Sequence, residues 1–257
     1  MRVTDSTGVR EVPQTDVAVL DRAVAVLDAV EHGARSHAQV VRATNLARTT
    51  THRLLKSLEK HGFVDYVGGR GYQLGSRLLR LGASSLREPS LRDVAHGALE
   101  RLAAVTGESA QIFVMSGGER VCIDAVPSSN ELRTMVDVGA VLPVSAGSAG
   151  KVFMAWMPEA GRQAFVRQAQ PLTDRTPVGE RLERQLAAAR RQGWTGSAGE
   201  RQAGVGSVSA PILGPLGELV AVVSISGPTT RIGAISAKRY APAVVNAARE
   251  IERALGF

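Results

Sequence analysis

From residue 16 to residue 62, apolar side chains return every three or four positions, the spacing of helices that bury one stripe. Residues 17–31 predict a helix with Val17, Leu20, Val24, Leu27 and Val30 on its inner side, ended by Gly33. A shorter helix follows at 37–43, with Ser36 as its N-cap and Val40 and Val41 turned inward. The run LARTTTHRLLKSLEKHGF, residues 46–63, makes the third. At about 100° per residue its buried stripe is Ala47, Thr51, Leu54, Leu55 and Leu58. Thr44-Asn45-Leu46 forms the corner before it, and Asn tolerates the left-handed backbone that such a corner needs. After Gly62 the period shortens: residues 63–67 and 72–74 predict a hairpin with Arg70 at its tip. Three helices followed by a hairpin is the order of a winged helix-turn-helix.

The second half has a different rhythm. Residues 75–86 carry leucines at helical spacing and are broken by Glu88-Pro89-Ser90, which reads as a linker helix. Residues 91–106 predict a helix with Leu91, Val94, Ala95, Ala98, Leu102 and Val105 at core positions. Strands are expected at 110–115 and 120–126, joined by Ser116-Gly117-Gly118-Glu119, and again at 132–138, 205–213 and 218–226. Helices are expected at 148–157, 159–168, 178–192 and 237–255. Hairpin strands with helices on a face make an α+β sheet domain. The expected organisation is a flexible start at 1–15, a winged helix-turn-helix domain at 16–75, a linker helix at 76–89 and a sheet domain at 90–257.

A chain of 257 residues accommodates two such domains, and 44% apolar with 21% charged residues excludes wholesale disorder. No run approaches the roughly 18 apolar residues of a membrane span, and the first 16 residues hold no apolar secretory stretch, so the expected location is cytoplasmic. The single cysteine, Cys122, excludes an internal disulfide and a cysteine-rich metal site, and reads as a buried hydrophobe. No metal or cofactor is expected.

The net charge of +7 changes the picture once it is located. Residues 33–84 hold nine Lys or Arg against Glu59 and Asp65, and the rest of the chain holds 22 of each sign. A merely solvated surface predicts an even spread, whereas a polyanionic partner predicts this concentration. The third helix carries Thr49, Arg53, Lys56 and Lys60 along its outer face, with Arg48 and His52 beside them. Arg48, Thr49, Thr50, His52 and Arg53, at its N-terminal end, are the candidates for base or near-base contacts in a double-stranded DNA operator. Lys56 and Arg70 are the candidates for phosphate contacts. The competing reading of His52 is a polar helix position that touches nothing.

Three partial signatures of catalysis occur in the second half. Ser148-Ala149-Gly150-Lys151 has the S-x-x-K spacing of serine acyl-enzymes, yet no K-T-G follows and Ser128-Ser129-Asn130 is not S-D-N. A phosphate loop ending at Lys151 would need Gly at Ser145 and Ser or Thr at Val152. Every histidine lies before residue 97, so the sheet domain is expected to have none to serve as base or zinc ligand. The alternative reading is a serine-dependent hydrolase using Ser148 and Lys151 beside a basic accessory module. A binding pocket fits these residues better. Ser148 and Ala149, at a glycine-flanked helix start, present backbone N–H groups, and Ser224 and Ser226 share one strand face, as do Ser207 and Ser209. The competing reading is that these hydroxyls only satisfy local backbone and packing.

The blocks VLDRAVAVLDAV, TNLARTTTHRLLKSLEKHGFVDY and GYQLGSRLLRLG, followed by LPVSAGSAGKVFMAW, RRQGWTGSAGERQAGVGSVSAPI and VAVVSISGP, resemble the IclR family of bacterial transcriptional regulators over roughly residues 16–255. The resemblance implies a GAF-like C-terminal domain and a DNA-binding homodimer or homotetramer, acting as a repressor or activator, whose C-terminal domain binds a small metabolite. It also implies an effector cavity at Ser148, Ala149, Ser207, Ser224 and Ser226, with Leu132 and Met135 as apolar walls and the loop 194–200, which carries Ser197, closing it. Relatives that bind acids carry acidic residues in that loop, where this chain has Ser197 and Ala198, with Glu200 further on. A cavity of hydroxyls, amides and few charges predicts a small carboxylate or amino-acid-like effector. A third reading is a DNA-binding protein whose second half only dimerises.

Overall fold

The structure, a computed structural model, describes residues 17–84 and 91–257. The expected flexible start at 1–15 and the far end of the expected linker helix, 85–89, lie outside the described residues. The chain forms two compact units, 1–88 and 89–257.

The first unit runs α1 (Ala18–Glu31), α2 (His37–Thr44), α3 (Arg48–Lys60), β1 (Val64–Val67), β2 (Gly71–Leu74) and α4 (Ser76–Ser84). Ser36 caps α2 in a capping box: its hydroxyl accepts from Gln39 N, and its own N–H donates 2.8 Å to the Gln39 side chain. Asn45 turns the corner at φ 52°, and α3 starts three residues later. Val26, Val30, Val40, Leu55 and Val64 are fully buried in one core, each contributing about 1.5–3 kcal/mol of transfer free energy. Thr51 is buried with them, and its hydroxyl donates to Ala47 O.

The inner side of α1 differs from the one expected. Val26, Ala29 and Val30 are buried and Ala23 and Leu27 pack against the same core, while Val17, Leu20 and Val24 are exposed. The wing pairs Val64 with Leu74 and Val67 with Gly71, leaving Gly68, Gly69 and Arg70 at the tip. Tyr72 N donates 2.8 Å to Arg35 O, and a Cβ on Gly71 would come within 2.1 Å of that oxygen, so only glycine lets the wing dock there.

The second unit runs α5 (Leu91–Thr106), β3 (Ser109–Ser116), β4 (Glu119–Val126), β5 (Val141–Pro143), α6 (Ser148–Trp156), α7 (Glu159–Gln168), α8 (Gly179–Gln192), β6 (Thr195–Ala198), β7 (Val205–Leu213), β8 (Leu219–Pro228) and α9 (Ala237–Ala254). One antiparallel sheet, in the order β5-β4-β3-β8-β7-β6, separates two cores. Strand alternation sends Ala110, Ile112, Val208, Ala210, Val223 and Ile225 against α5 and α9. Phe113, Cys122 and Val222 face α6 and α8 on the other side, so helices cover both faces rather than one. This is the expected α+β class.

Three expectations change here. Residues 132–138 form no strand; the edge strand after β4 is β5, and Leu132 and Met135 sit exposed in the segment before it. Residues 195–198 are not loop but the opposite edge strand, β6, pairing Ser197 with Ser207. On α5, Val105 is 78% exposed and Leu99 is buried, because Val105 lies about a quarter-turn off the line of Ala95, Leu99 and Leu102. No helix among the described residues is long and apolar enough to cross a membrane.

Candidate functional site

In the first unit, the face of α3 turned away from the core is polar and solvent-facing. Arg48, Thr49, His52, Arg53 and Lys56 are exposed, Thr50 is half-buried, and Arg70 is exposed at the wing tip. The hydrophobic stripe fixes this outcome: Thr51, Leu55 and Leu58 anchor α3 inward, and the 3.6-residue period turns Arg48, His52 and Arg53 outward. Lys56 Nζ lies 3.0 Å from Glu59 Oε2, which raises the Lys56 pKa, so a phosphate contact by Lys56 exchanges one anion for another. His37, not singled out in the sequence, accompanies the face: its Nε2 lies 3.1 Å from Arg48 O, and its ring sits edge-on to His52 at 6.0 Å.

The nine cations of this segment are not equivalent. Arg35 donates to Val30 O at 2.6 Å and toward Tyr72 O, tying the wing to the end of α1. Arg77 donates to His61 O and lies over the Phe63 ring. These two hold the unit together. The others named above are available to a partner.

In the second unit, the sequence-predicted serines converge beneath the N-terminus of α6. Ser148 Oγ hydrogen-bonds Ser207 Oγ and Ser209 Oγ, both at 2.7 Å, and Ser209 Oγ donates 2.8 Å to Ser224 Oγ. Gln111 Nε2 donates 2.9 Å to Ser226 Oγ. Ser148, Ala149, Ser197, Ser207, Ser224 and Ser226 line one narrow cavity of about 30 Å³, room for about two waters at ~10–15 Å³ each. Leu132 and Met135 do not line it; Phe113, Val136 and Leu142 form the apolar wall instead.

Two arginines also line this cavity, against the expectation of few charges. Arg120 is 4% exposed; it lies over the Phe113 ring and donates 3.2 Å to Ala146 O. Its Nε has no hydrogen-bond partner among the described residues. Burial, and after it the charge of Arg201, lower its pKa to about 9, so it remains charged at neutral pH. Burial likewise lowers the Arg201 pKa. Gly147, at φ 84°, precedes α6, and a Cβ there would stand 3.3 Å from Arg120 Nη2. Parity gave a signal for Arg120, because it sits two residues before Cys122 on one strand and so shares its inward face. Arg201 follows β6 in irregular backbone, and no periodicity marks it.

Lys151 is occupied elsewhere. Its Nζ donates to Gln185 Oε1, Gly196 O and Glu200 Oε1, each within 2.7 Å, clamping β6 to α6 and α8. Burial lowers its pKa, and Glu200 opposes that shift. None of these bonds runs to Ser148, whose hydroxyl serves Ser207 and Ser209, so the nucleophile–base contact of S-x-x-K chemistry is not formed. His96 belongs to this unit, contrary to the expectation that it lacked a histidine. It sits on α5, across the sheet from Ser148, with Nδ1 2.7 Å from the buried Asp124.

Comparison with known proteins gives the family. Residues 19–68 match the family description "IclR helix-turn-helix domain", and residues 83–253 match "Bacterial transcriptional regulator IclR C-terminal". The transcriptional repressor IclR of Escherichia coli K12 is 30% identical over 248 residues, covering 93% of this chain and 90% of that protein. The glycerol operon regulatory protein of Streptomyces coelicolor is 31% identical over 248 residues, covering 94% of this chain and 97% of that protein. Among solved structures, an IclR homolog from Microbacterium hydrocarbonoxydans complexed with 4-hydroxybenzoate superposes with a TM-score of 0.80 at 25% identity. It covers 93% of this chain and 99% of that chain.

Proposed function

The chain belongs to the IclR family of transcriptional regulators, and on that premise we propose which of its residues read DNA and which receive the effector. As an IclR-type regulator it binds DNA through the first unit. The observation that carries the reading is α3: its apolar stripe is buried, and its outer face offers Arg48, Thr49, His52 and Arg53 at the N-terminal end. In this reading, those residues and Thr50 meet base edges in the major groove, while Lys56 and Arg70 neutralise phosphates. The serine-lined cavity under α6, comprising Ser148, Ala149, Ser197, Ser207, Ser224 and Ser226, takes a small-molecule effector whose binding shifts operator affinity. The Microbacterium homolog's complex with a small aromatic acid supports that reading. The exposed apolar side chains of Leu20 and Val24 on α1 support self-association as a homodimer or higher homo-oligomer. Catalysis is outside the reading, since Ser148 and Lys151 are hydrogen-bonded to other partners.

The test compares Arg53→Ala with Lys56→Ala on a duplex that the wild-type chain selects from a random pool, and on a scrambled duplex. Arg53→Ala is expected to weaken specific binding by about 1–3 kcal/mol with little effect on the scrambled duplex. Lys56→Ala is expected to weaken both alike. Equal losses from the two substitutions would reject the assignment of bases to one and phosphate to the other.

A further inference from the structure

The serine cavity contains more positive charge than its polar furnishing explains. Arg120 and Arg201 both line it, and among the described residues neither is ion-paired with a carboxylate and no carboxylate lines the cavity. Glu200, next to Arg201 in the chain, gives its Oε1 to Lys151 at 2.6 Å, while its buried Oε2 has no hydrogen-bond partner among the described residues. The N-terminus of α6 adds its own partial positive charge at Ser148 and Ala149. Arg120 is nine-tenths buried, and its Nε is left without a partner. Burying a guanidinium is costly unless it is paired and hydrogen-bonded, and two of them near one another add repulsion to desolvation. The lowered pKa of Arg120, with Arg201 as its second cause, expresses the same conflict.

Resting on the effector-site reading above, we infer that this cavity takes a small dianion, with one negative charge for each of Arg120 and Arg201 and its polar edge against the α6 N-terminus and the Ser224 and Ser226 hydroxyls. A neutral ligand leaves the buried Arg120 guanidinium uncompensated and the half-buried Arg201 to solvent, whereas a dianion offers one charge to each. Guanidinium forks suit carboxylate and phosphate oxygens alike, so the shared chemistry is a doubly charged oxyanion, either a short dicarboxylate or a phosphate. The 4-hydroxybenzoate bound by the Microbacterium homolog carries one carboxylate. The narrowness of the cavity restricts the ligand to few atoms and requires its walls to part on entry.

The experiment uses the full chain and two readouts, the ligand-induced rise in Tm and the affinity for a selected operator duplex. The probes are malonate and succinate, their monoamides, succinamide and inorganic phosphate. The best dianion is expected to bind at least tenfold more tightly than its singly charged counterpart. Preference for phosphate or for a dicarboxylate then identifies the source of the charge. Arg120→Gln and Arg201→Gln are each expected to reduce dianion binding to the monoamide level, whereas Arg120→Lys keeps part of it. Without ligand, Arg120→Gln is expected to melt no lower than wild type, because a buried unpaired charge is gone. Monoamides that bind as well as dicarboxylates, dianion binding unchanged in the glutamine variants, a lower ligand-free Tm in Arg120→Gln, or no dianion bound at 10 mM would each overturn the assignment. A dianion that binds through both arginines without moving operator affinity keeps this assignment and rejects the effector reading. A monoanion that shifts operator affinity as strongly as a dianion does the reverse.

Discussion

Asn45, at φ 52°, is the one non-glycine residue with left-handed backbone among the described residues, and it stands where two helices must turn within three residues. The cost of that conformation is small for Asn and larger for branched side chains, which is why a single residue type foretold the corner. Cys122 shows the same legibility from the opposite direction. Its flanking Val121 and Ile123 marked it as a buried hydrophobe, and burial raises its pKa to about 12 from 9.0. The thiol is protonated in the folded chain across the range in which an unfolded one ionises. It therefore contributes stability fully below about pH 9, and that contribution fades as pH rises toward 12. At pH 8.5 a thiol reagent is expected to leave the native chain unlabelled and to react at once after denaturation. Rapid stoichiometric labelling of the native chain would contradict this placement. The arginines of the cavity were less legible, because a sequence shows the parity of Arg120 but not the absence of a counter-charge around it.

At the scale of elements, α3 is the part the sequence describes best. Of its expected stripe, Thr51, Leu55 and Leu58 are buried and Leu54 is half-buried, Ala47 is exposed just ahead of the first turn, and its charges face outward. β6 is the part the sequence hides. Thr-Gly-Ser-Ala has little apolar alternation, and it pairs with β7 across the irregular connection 199–204, which carries no tight-turn signature. The buried clamp at Lys151 helps hold it, through bonds to Gly196 O and Glu200. Breaking one half of a buried ion pair strands the other half. Lys151→Met is expected to cost about 3–5 kcal/mol, while Lys151→Met with Glu200→Gln costs less than Lys151→Met alone. Denaturant unfolding of the three chains measures this. A double variant less stable than the single one would show that the pair is not the reason Lys151 matters. The exposed N-terminal turns of α1 were hidden from the sequence for a related reason. Amphipathic spacing says which residues could share a core, not how far along the helix the core extends.

For the whole molecule, the division of charge is the feature that composition alone carries furthest. Residues 33–84 hold the entire formal excess of +7, and in the structure Arg48, Arg53, Lys56 and Arg70 point outward from α3 and the wing. The remaining residues are formally neutral, and those of the second unit build the sheet whose cavity is lined by Arg120 and Arg201. One unit thus presents positive charge outward, and the other buries it at Arg120. The outward set is tested most directly by the affinity for duplex DNA as a function of salt, read by fluorescence titration. The predicted result is a straight, steep fall of log K against log[salt], with a slope near −0.9 for each phosphate neutralised. In Lys56→Ala or Arg70→Ala the slope is expected to be shallower by about one for every phosphate that the truncated side chain no longer neutralises. A flat plot, or a slope that neither substitution changes, would contradict it.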